Sequence, residues 1–192
     1  MYSWLLVRFS LNLTLNDHNY SLNEIPISTV THHINSNNVE IFKGQTSFTQ
    51  YSDNYGWLGS LNANIIGDMY MMKINQDDTI SYEGYPVDLS NSDFHINIEE
   101  GWNWIGYLGQ RPLGINEALS SLSPTPGDLI KNKSSFSLFA SESIGWVGTL
   151  NYLTEGEGYM FNSSDDQLLV YPENSLYGSV YRNYNSNNID PH

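Results

Sequence analysis

The chain predicts a mainly β fold built from two tandem, duplicated small domains, barrels or sandwiches, each with about one short helix. Three observations carry that expectation. The first is long-range self-similarity: Gly56-Trp-Leu-Gly-Ser-Leu-Asn62 and Gly67-Asp-Met-Tyr-Met71 recur 89 residues on, as Gly145-Trp-Val-Gly-Thr-Leu-Asn151 and Gly156-Glu-Gly-Tyr-Met160. About half of the sixteen positions from 56 to 71 are identical without a gap, where chance gives about one. The second is composition. Asn and Ser make up about a quarter of the 192 residues and aromatics 14 %, a mixture that favours short strands joined by tight turns. The third is a series of short stretches in which apolar and polar residues alternate between turn signals. A spacing this long exceeds the solenoid periods of roughly 20–50 residues, so each copy should hold its own core.

Copy one covers residues 1–88, copy two 89–172, and 173–192 reads as a polar tail leading to a following domain. In copy one, the alternation from Trp4 to Leu15 reads as a strand, with Trp4–Phe9 matching a later strand of copy two. The strand that should precede it is expected to be missing, which leaves an edge where another chain could pair. A helix near Leu22-Asn-Glu-Ile25 is in doubt because Pro26 interrupts it. Ile41–Phe48 matches Leu129–Phe136, with a one-residue slip before the tryptophan, and Gln76-Asp77-Asp78 reads as a turn. The joint falls at the polar Val87–Asp93 stretch.

Copy two opens with an alternating strand, Phe94–Ile98. Glu99-Glu100-Gly101 turns it into Trp102–Leu108. Ile115, Ala118, Leu119 and Leu122 fall at i, i+3, i+4 and i+7, one face of a short helix. Ser123-Pro-Thr-Pro-Gly127 stops it. Strands follow at Asp128–Asn132, Phe136–Ala140, Gly145–Leu150, Gly158–Ser163 and Gln167–Tyr171, the last two joined through Ser164-Asp165-Asp166.

Charge and composition exclude several functions. With 7 basic against 21 acidic side chains, the net charge is -14, which opposes binding to nucleic acid or to an anionic membrane surface. No apolar run reaches the roughly 18–20 residues of a membrane span. The chain has no Cys, which removes disulfides, thiolate metal sites and a cysteine nucleophile. The acidic, Lys-poor surface suits a salty medium that screens its self-repulsion, so we expect an exported, extracellular or cell-surface protein. The N-terminus lacks the basic start and apolar stretch of a signal peptide, so the sequence reads as a segment of a larger exported protein.

No catalytic or metal-ligating constellation stands out, and no enzyme activity or cofactor is expected. His32-His33 lacks a counterpart in copy two and reads as loop histidines. No Gly-x-Ser-x-Gly elbow frames a nucleophile. Asp77-Asp78, Glu99-Glu100 and Asp165-Asp166 lack the spaced oxygens of a calcium loop, so at most weak Ca²⁺ binding is expected of them. The four Asn-x-Ser/Thr sequons follow from the abundance of both residues. The ligand-binding candidates are aromatic: Trp57, Trp146, Tyr70, Tyr159, Tyr51 and Tyr55. Such rings can stack on a sugar or fill a partner's pocket at little entropic cost. A core-building role weighs more for the four repeated rings, because duplicated modules repeat core residues first. Tyr55 against Ile144 and Tyr51 against Ala140 differ between the copies and are the better candidates for surface.

Gly101-Trp-Asn-Trp-Ile-Gly-Tyr107, Ile115-Asn-Glu-Ala-Leu119, Asp128-Leu-Ile-Lys131, Gly145-Trp-Val-Gly-Thr-Leu150 and Gly156-Glu-Gly-Tyr-Met160 together resemble a tandem β module of large secreted and cell-surface bacterial proteins. Those proteins are of the kind exported by marine, gliding-type bacteria through the type IX route, and related modules occur in phage-like proteins. The resemblance runs to about Pro172, and copy one departs from it at its N-terminus and at Pro26. It implies a non-catalytic surface module with a spacer, adhesion or polymer-presenting role, whose partner is a polysaccharide or a surface protein. The competing readings are a carbohydrate-binding module of a secreted hydrolase and an uncharacterised enzyme.

Overall fold

A computed structural model describes residues 2–4, 24–31, 39–74 and 87–173. The first half holds β1 (Tyr2–Trp4), β2 (Glu24–Pro26), α1 (Ile27–Val30), β3 (Val39–Lys43), β4 (Phe48–Ser52), β5 (Gly56–Gly59), β6 (Ala63–Ile65) and β7 (Met71–Ile74). A 3-10 turn at Ser92–Phe94 then leads to β8 (Ile96–Ile98), β9 (Gly101–Gly106), β10 (Leu113–Gly114) and α2 (Ile115–Ala118). The chain continues through β11 (Leu129–Lys131), β12 (Phe136–Ser141), β13 (Gly145–Gly148), β14 (Tyr152–Leu153), β15 (Gly158–Ser163) and β16 (Gln167–Leu169). The fold is mainly β, as expected.

Two five-stranded antiparallel sheets dominate, ordered β1-β7-β3-β4-β5 and β13-β12-β11-β15-β9. Read from opposite ends, these orders correspond strand for strand. The ribbons β2-β6 and β10-β14 correspond too, as do α1 and α2, each entered by a bond from Ile27 N or Ile115 N to the carbonyl of Asn62 or Asn151, both 3.0 Å. β16 pairs with β8. Its expected match at Thr79–Tyr82 lies outside the described residues, as do the strand reading of residues 5–15, the Gln76–Asp78 turn and His32-His33.

Among the described residues no sheet closes into a barrel, which corrects that part of the expectation. The physical reason is the capping of each sheet's inner face by other elements. In the second half, Ile115, Ala118, Leu119, Leu122, Leu113 and Leu153 pack with Ile105, Ile130, Tyr159 and Phe161 of the sheet. In the first half, Ile25, Ile27 and Leu61 pack with Phe42, Tyr70 and Met72. With that face filled by a helical turn and a ribbon, the sheet has no need to curl upon itself.

Local differences from the expected elements follow from local chemistry. The first-half helix forms immediately after Pro26, which occupies the N-cap position, where a missing N–H and a fixed φ do no harm. The second-half helix is a single turn. The apolar positions continue to Leu119 and Leu122 through turns, and all four predicted face residues are buried. Phe94 lies in the 3-10 turn, capped by the Asn91 side chain accepting from Asp93 N, so that strand begins only at Ile96.

The one-residue slip before Trp146 is a β-bulge: the β12–β13 register shifts between Phe139 and Ser141, so Ala140 is the extra residue. Tyr51 therefore corresponds to Phe139 rather than to Ala140, which corrects the sequence alignment. Tyr51 meets Trp57 edge-on at 5.3 Å, and Phe139 meets Trp146 edge-on at 5.4 Å.

The first half covers the outer edge of β9. Gln45 Nε2 donates to Trp102 O and Gln45 Oε1 accepts from Trp104 N, each at 2.7 Å. Met69 N donates to Trp104 O at 3.1 Å, and Gly106 N donates to Gly67 O at 2.6 Å. Lys43 Nζ lies 5.5 Å from the centre of the Trp104 ring. Met69, almost wholly buried, fits where Gly158 leaves room: a Cβ on Gly158 would run into its Cγ and lie 2.8 Å from its sulfur. Gly158 is the position that corresponds to Met69 itself, so a side chain in one half fills the gap left by its absence in the other.

Candidate functional site

The repeated aromatics belong to the scaffold's interior face. Tyr159 and Tyr70 are 1 % and 4 % exposed. Each hydroxyl accepts from a backbone N–H five residues upstream, Thr154 N at 2.8 Å and Ile65 N at 2.7 Å. Burial pushes the Tyr159 phenol up to about 12, and raises Tyr70 further with help from the adjacent Asp68. Trp57 and Trp146 are half-buried and pack on the two cores; Trp146 also meets Phe161 edge-on at 6.1 Å. Tyr51 is half-buried against Trp57. Tyr55 sits at a turn, 78 % exposed. The structure does not gather these six side chains into one surface.

Two polar residues of the sequence motifs, Asn103 and Asp128, hold turns in place. Asn103, buried in β9, accepts from Glu99 N at 2.9 Å and donates to Glu99 O at 2.7 Å and Gly101 O at 3.0 Å. It thereby closes the β8–β9 turn, where Gly101 has φ +97°. Asp128, fully buried, accepts from Thr125 N, Ser164 N and Ser164 Oγ, at 2.9, 2.9 and 2.6 Å. Two of the acidic pairs meet at the turns, with Asp166 Oδ1 accepting from Glu100 N at 2.8 Å, while Asp77-Asp78 lies outside the described residues. Among the described residues, no three His, Cys, Asp or Glu converge as metal ligands.

One polar cavity, about 300 Å³, opens on the second half between β14 and the turn that follows β11. It is open to solvent, and its lining includes Asn132, Thr149, Asn151, Tyr152, Glu157 and Tyr159. Asn132 Oδ1 accepts from Ser134 N and Ser135 N, at 3.0 and 2.8 Å, which fixes the side chain with its NH₂ still able to donate. Asn151 Nδ2 donates to Thr149 O at 3.4 Å, leaving its carbonyl as an acceptor. Tyr152 is 61 % exposed. Opposite it on β10 is Gly114, where even a Cβ would meet nothing within 4 Å, so no side chain shields the ring from that strand.

Some of the corresponding first-half positions keep the same groups, with Asn62 for Asn151, Ser60 for Thr149 and Ser47 for Ser135, and others differ in kind. Gly44 stands for Asn132, Ala63 for Tyr152 and Ile65 for Thr154. Asp68 stands for Glu157 and is held in the contact with β9. The scaffold thus forms without the Asn132 amide, the Tyr152 ring and the Thr154 hydroxyl. Sequence reasoning missed Tyr152, Asn132, Asn151 and Glu157. The signal that could have found Tyr152 and Asn132 is the one applied to Tyr55, a difference between the halves, here at Ala63 against Tyr152 and Gly44 against Asn132; Asn151 repeats as Asn62 and carries no such signal. The chain matches no known family, no curated protein and no solved structure.

Proposed function

We propose that the chain is a non-catalytic module of an exported surface protein, made of two copies of one β unit, and that it binds a polymeric ligand, a glycan, through its second copy. Matching strand orders, the twin tyrosine-to-backbone bonds and the twin entries into α1 and α2 support descent from one unit. The observation that carries the binding role is the cavity beside Tyr152, lined by amide, hydroxyl and carboxylate groups, among which the Asn132 amide and the Tyr152 ring have no counterpart in the other half. A recess that sets a few polar groups beside an exposed ring is the usual form of a recognition site. The family resemblance supports the surface setting, and the charge of -14 fits a salty exterior.

A glycan array at seawater ionic strength tests the proposal. Selective retention of one glycan class supports it, and turnover of any glycosidic or peptide substrate by the chain would overturn its non-catalytic part. Within the same proposal, β1 is a sheet edge open to a neighbouring chain, since among the described residues it pairs only with β7. Sedimentation that shows a monomer at all concentrations would remove that contact.

A further inference from the structure

We infer that the cavity recognises a neutral pyranose unit, one per chain, stacked on Tyr152 and held by Asn132, Asn151 and Glu157. The inference rests on the binding role proposed above and specifies its ligand. Size comes first: about 300 Å³ lies at the small end of ligand pockets, room for one ring-sized unit with the rest of a polymer running outside. The hydrogen-bonding set is mixed. The Asn132 amide supplies donors, the Asn151 carbonyl and the Glu157 carboxylate supply acceptors, and the Thr149 hydroxyl can do either.

A sugar hydroxyl both donates and accepts, so a polyol satisfies all of these at once, whereas a purely apolar ligand would leave them unpaired at a cost. The uncovered Tyr152 ring supplies a flat apolar platform for the C–H face of the sugar. Charge then selects among sugars. The described lining contains one carboxylate and no Lys or Arg, and the chain as a whole is strongly acidic. An anionic uronate or sulfated unit would be repelled; a neutral one would not. The first half lacks the platform and the fixed amide, with Ala63 and Gly44 in their places, so one site per chain follows.

The test uses the full chain. Neutral cello-, laminari-, manno- and xylo-oligosaccharides are titrated by calorimetry and ligand-observed NMR, with oligogalacturonate and alginate oligomers as the acidic arm. The variants are Tyr152→Ala and Asn132→Gly, which install what the first half already carries, and Tyr152→Phe, which keeps the ring. We expect saturable binding of a neutral oligosaccharide at a stoichiometry of one. Affinity should fall at least tenfold in Tyr152→Ala, fall in Asn132→Gly, and change by less than about threefold in Tyr152→Phe, with melting temperatures preserved. Binding of acidic oligomers alone, or neutral binding that Tyr152→Ala and Asn132→Gly leave unchanged, would overturn this inference while leaving a glycan-binding module standing. Failure to bind any glycan here and on the array would overturn both.

Discussion

Single residues reveal where the two halves carry different burdens. Asn64 is 0 % exposed, and neither its amide nitrogen nor its carbonyl oxygen has a hydrogen-bond partner. The second half holds Leu153, also fully buried, at the corresponding place. A buried amide without partners forfeits its hydration for nothing. Asn64→Leu should therefore raise unfolding free energy by about 1–3 kcal/mol in a urea titration, and a loss of stability would show that the first-half core has no room for the larger side chain. Asp68 makes a pH-dependent contribution. Burial pushes its carboxyl from 3.8 up to about 6, against a smaller pull downward from the Tyr70 hydroxyl. The folded chain then holds this proton more tightly than the unfolded chain, so its contribution is full below about pH 4 and is lost as pH rises to about 6. Melting temperature should be higher at pH 4.5 than at pH 7.5, and Asp68→Asn should both stabilise the chain at pH 7.5 and flatten that slope. An unchanged slope would place the titration elsewhere.

At the scale of elements, the most consequential arrangement is the cover over β9. An exposed edge offers unpaired N–H and C=O groups to any passing strand. Here Gln45, Gly67 and Met69 satisfy those of Trp102, Trp104 and Gly106. Gln45 is suited to this because one side-chain amide offers both a donor and an acceptor; Lys133, at the same turn of the second half, can only donate. Gln45→Ala should speed hydrogen–deuterium exchange at the Trp104 amide by tenfold or more while leaving core amides of β11 and β15 unchanged. Equal acceleration everywhere would mean global destabilisation rather than loss of a local cover.

How much of this was legible in sequence depended on the physics each element obeys. Strands of four or more residues with a buried face announced themselves by alternation, and the Ser164–Asp166 turn by its polar residues. The ribbons β2-β6 and β10-β14, of two or three residues a strand, are too short to display a period. Ala140 showed as a slip in alignment, but only backbone pairing distinguishes a bulge from a loop insertion and so reassigns Tyr51 to Phe139. Of the repeated rings, Tyr70 and Tyr159 lie in the interior, and Trp57 and Trp146 are half-buried against the cores. The cavity stayed hidden because Asn132 and Tyr152 are distant in sequence and resemble ordinary surface residues until folded side by side.

For the whole molecule, electrostatics sets the conditions under which these parts cohere. A charge of -14 spread over two abutting halves opposes compaction. Raising sodium chloride from about 0.05 to 0.5 M shortens the screening length from well above to well below 10 Å. Melting temperature should therefore climb with salt, most steeply below about 0.2 M, as followed by circular dichroism at fixed pH. A flat or falling response would mean that attractive pairs outweigh the excess of negative charge.

The cover over β9 also orders events in time. Gln45, Gly67 and Met69 precede Trp102–Gly106 along the chain, so a ribosome completes the guard before the strand it protects. At roughly 5–20 residues per second, the 35 residues from Met69 to Trp104 take about 2–7 s to emerge. A nascent chain that folds from its N-terminus thus has a guard ready for that outer edge of β9, while the other edge waits for β15 to follow.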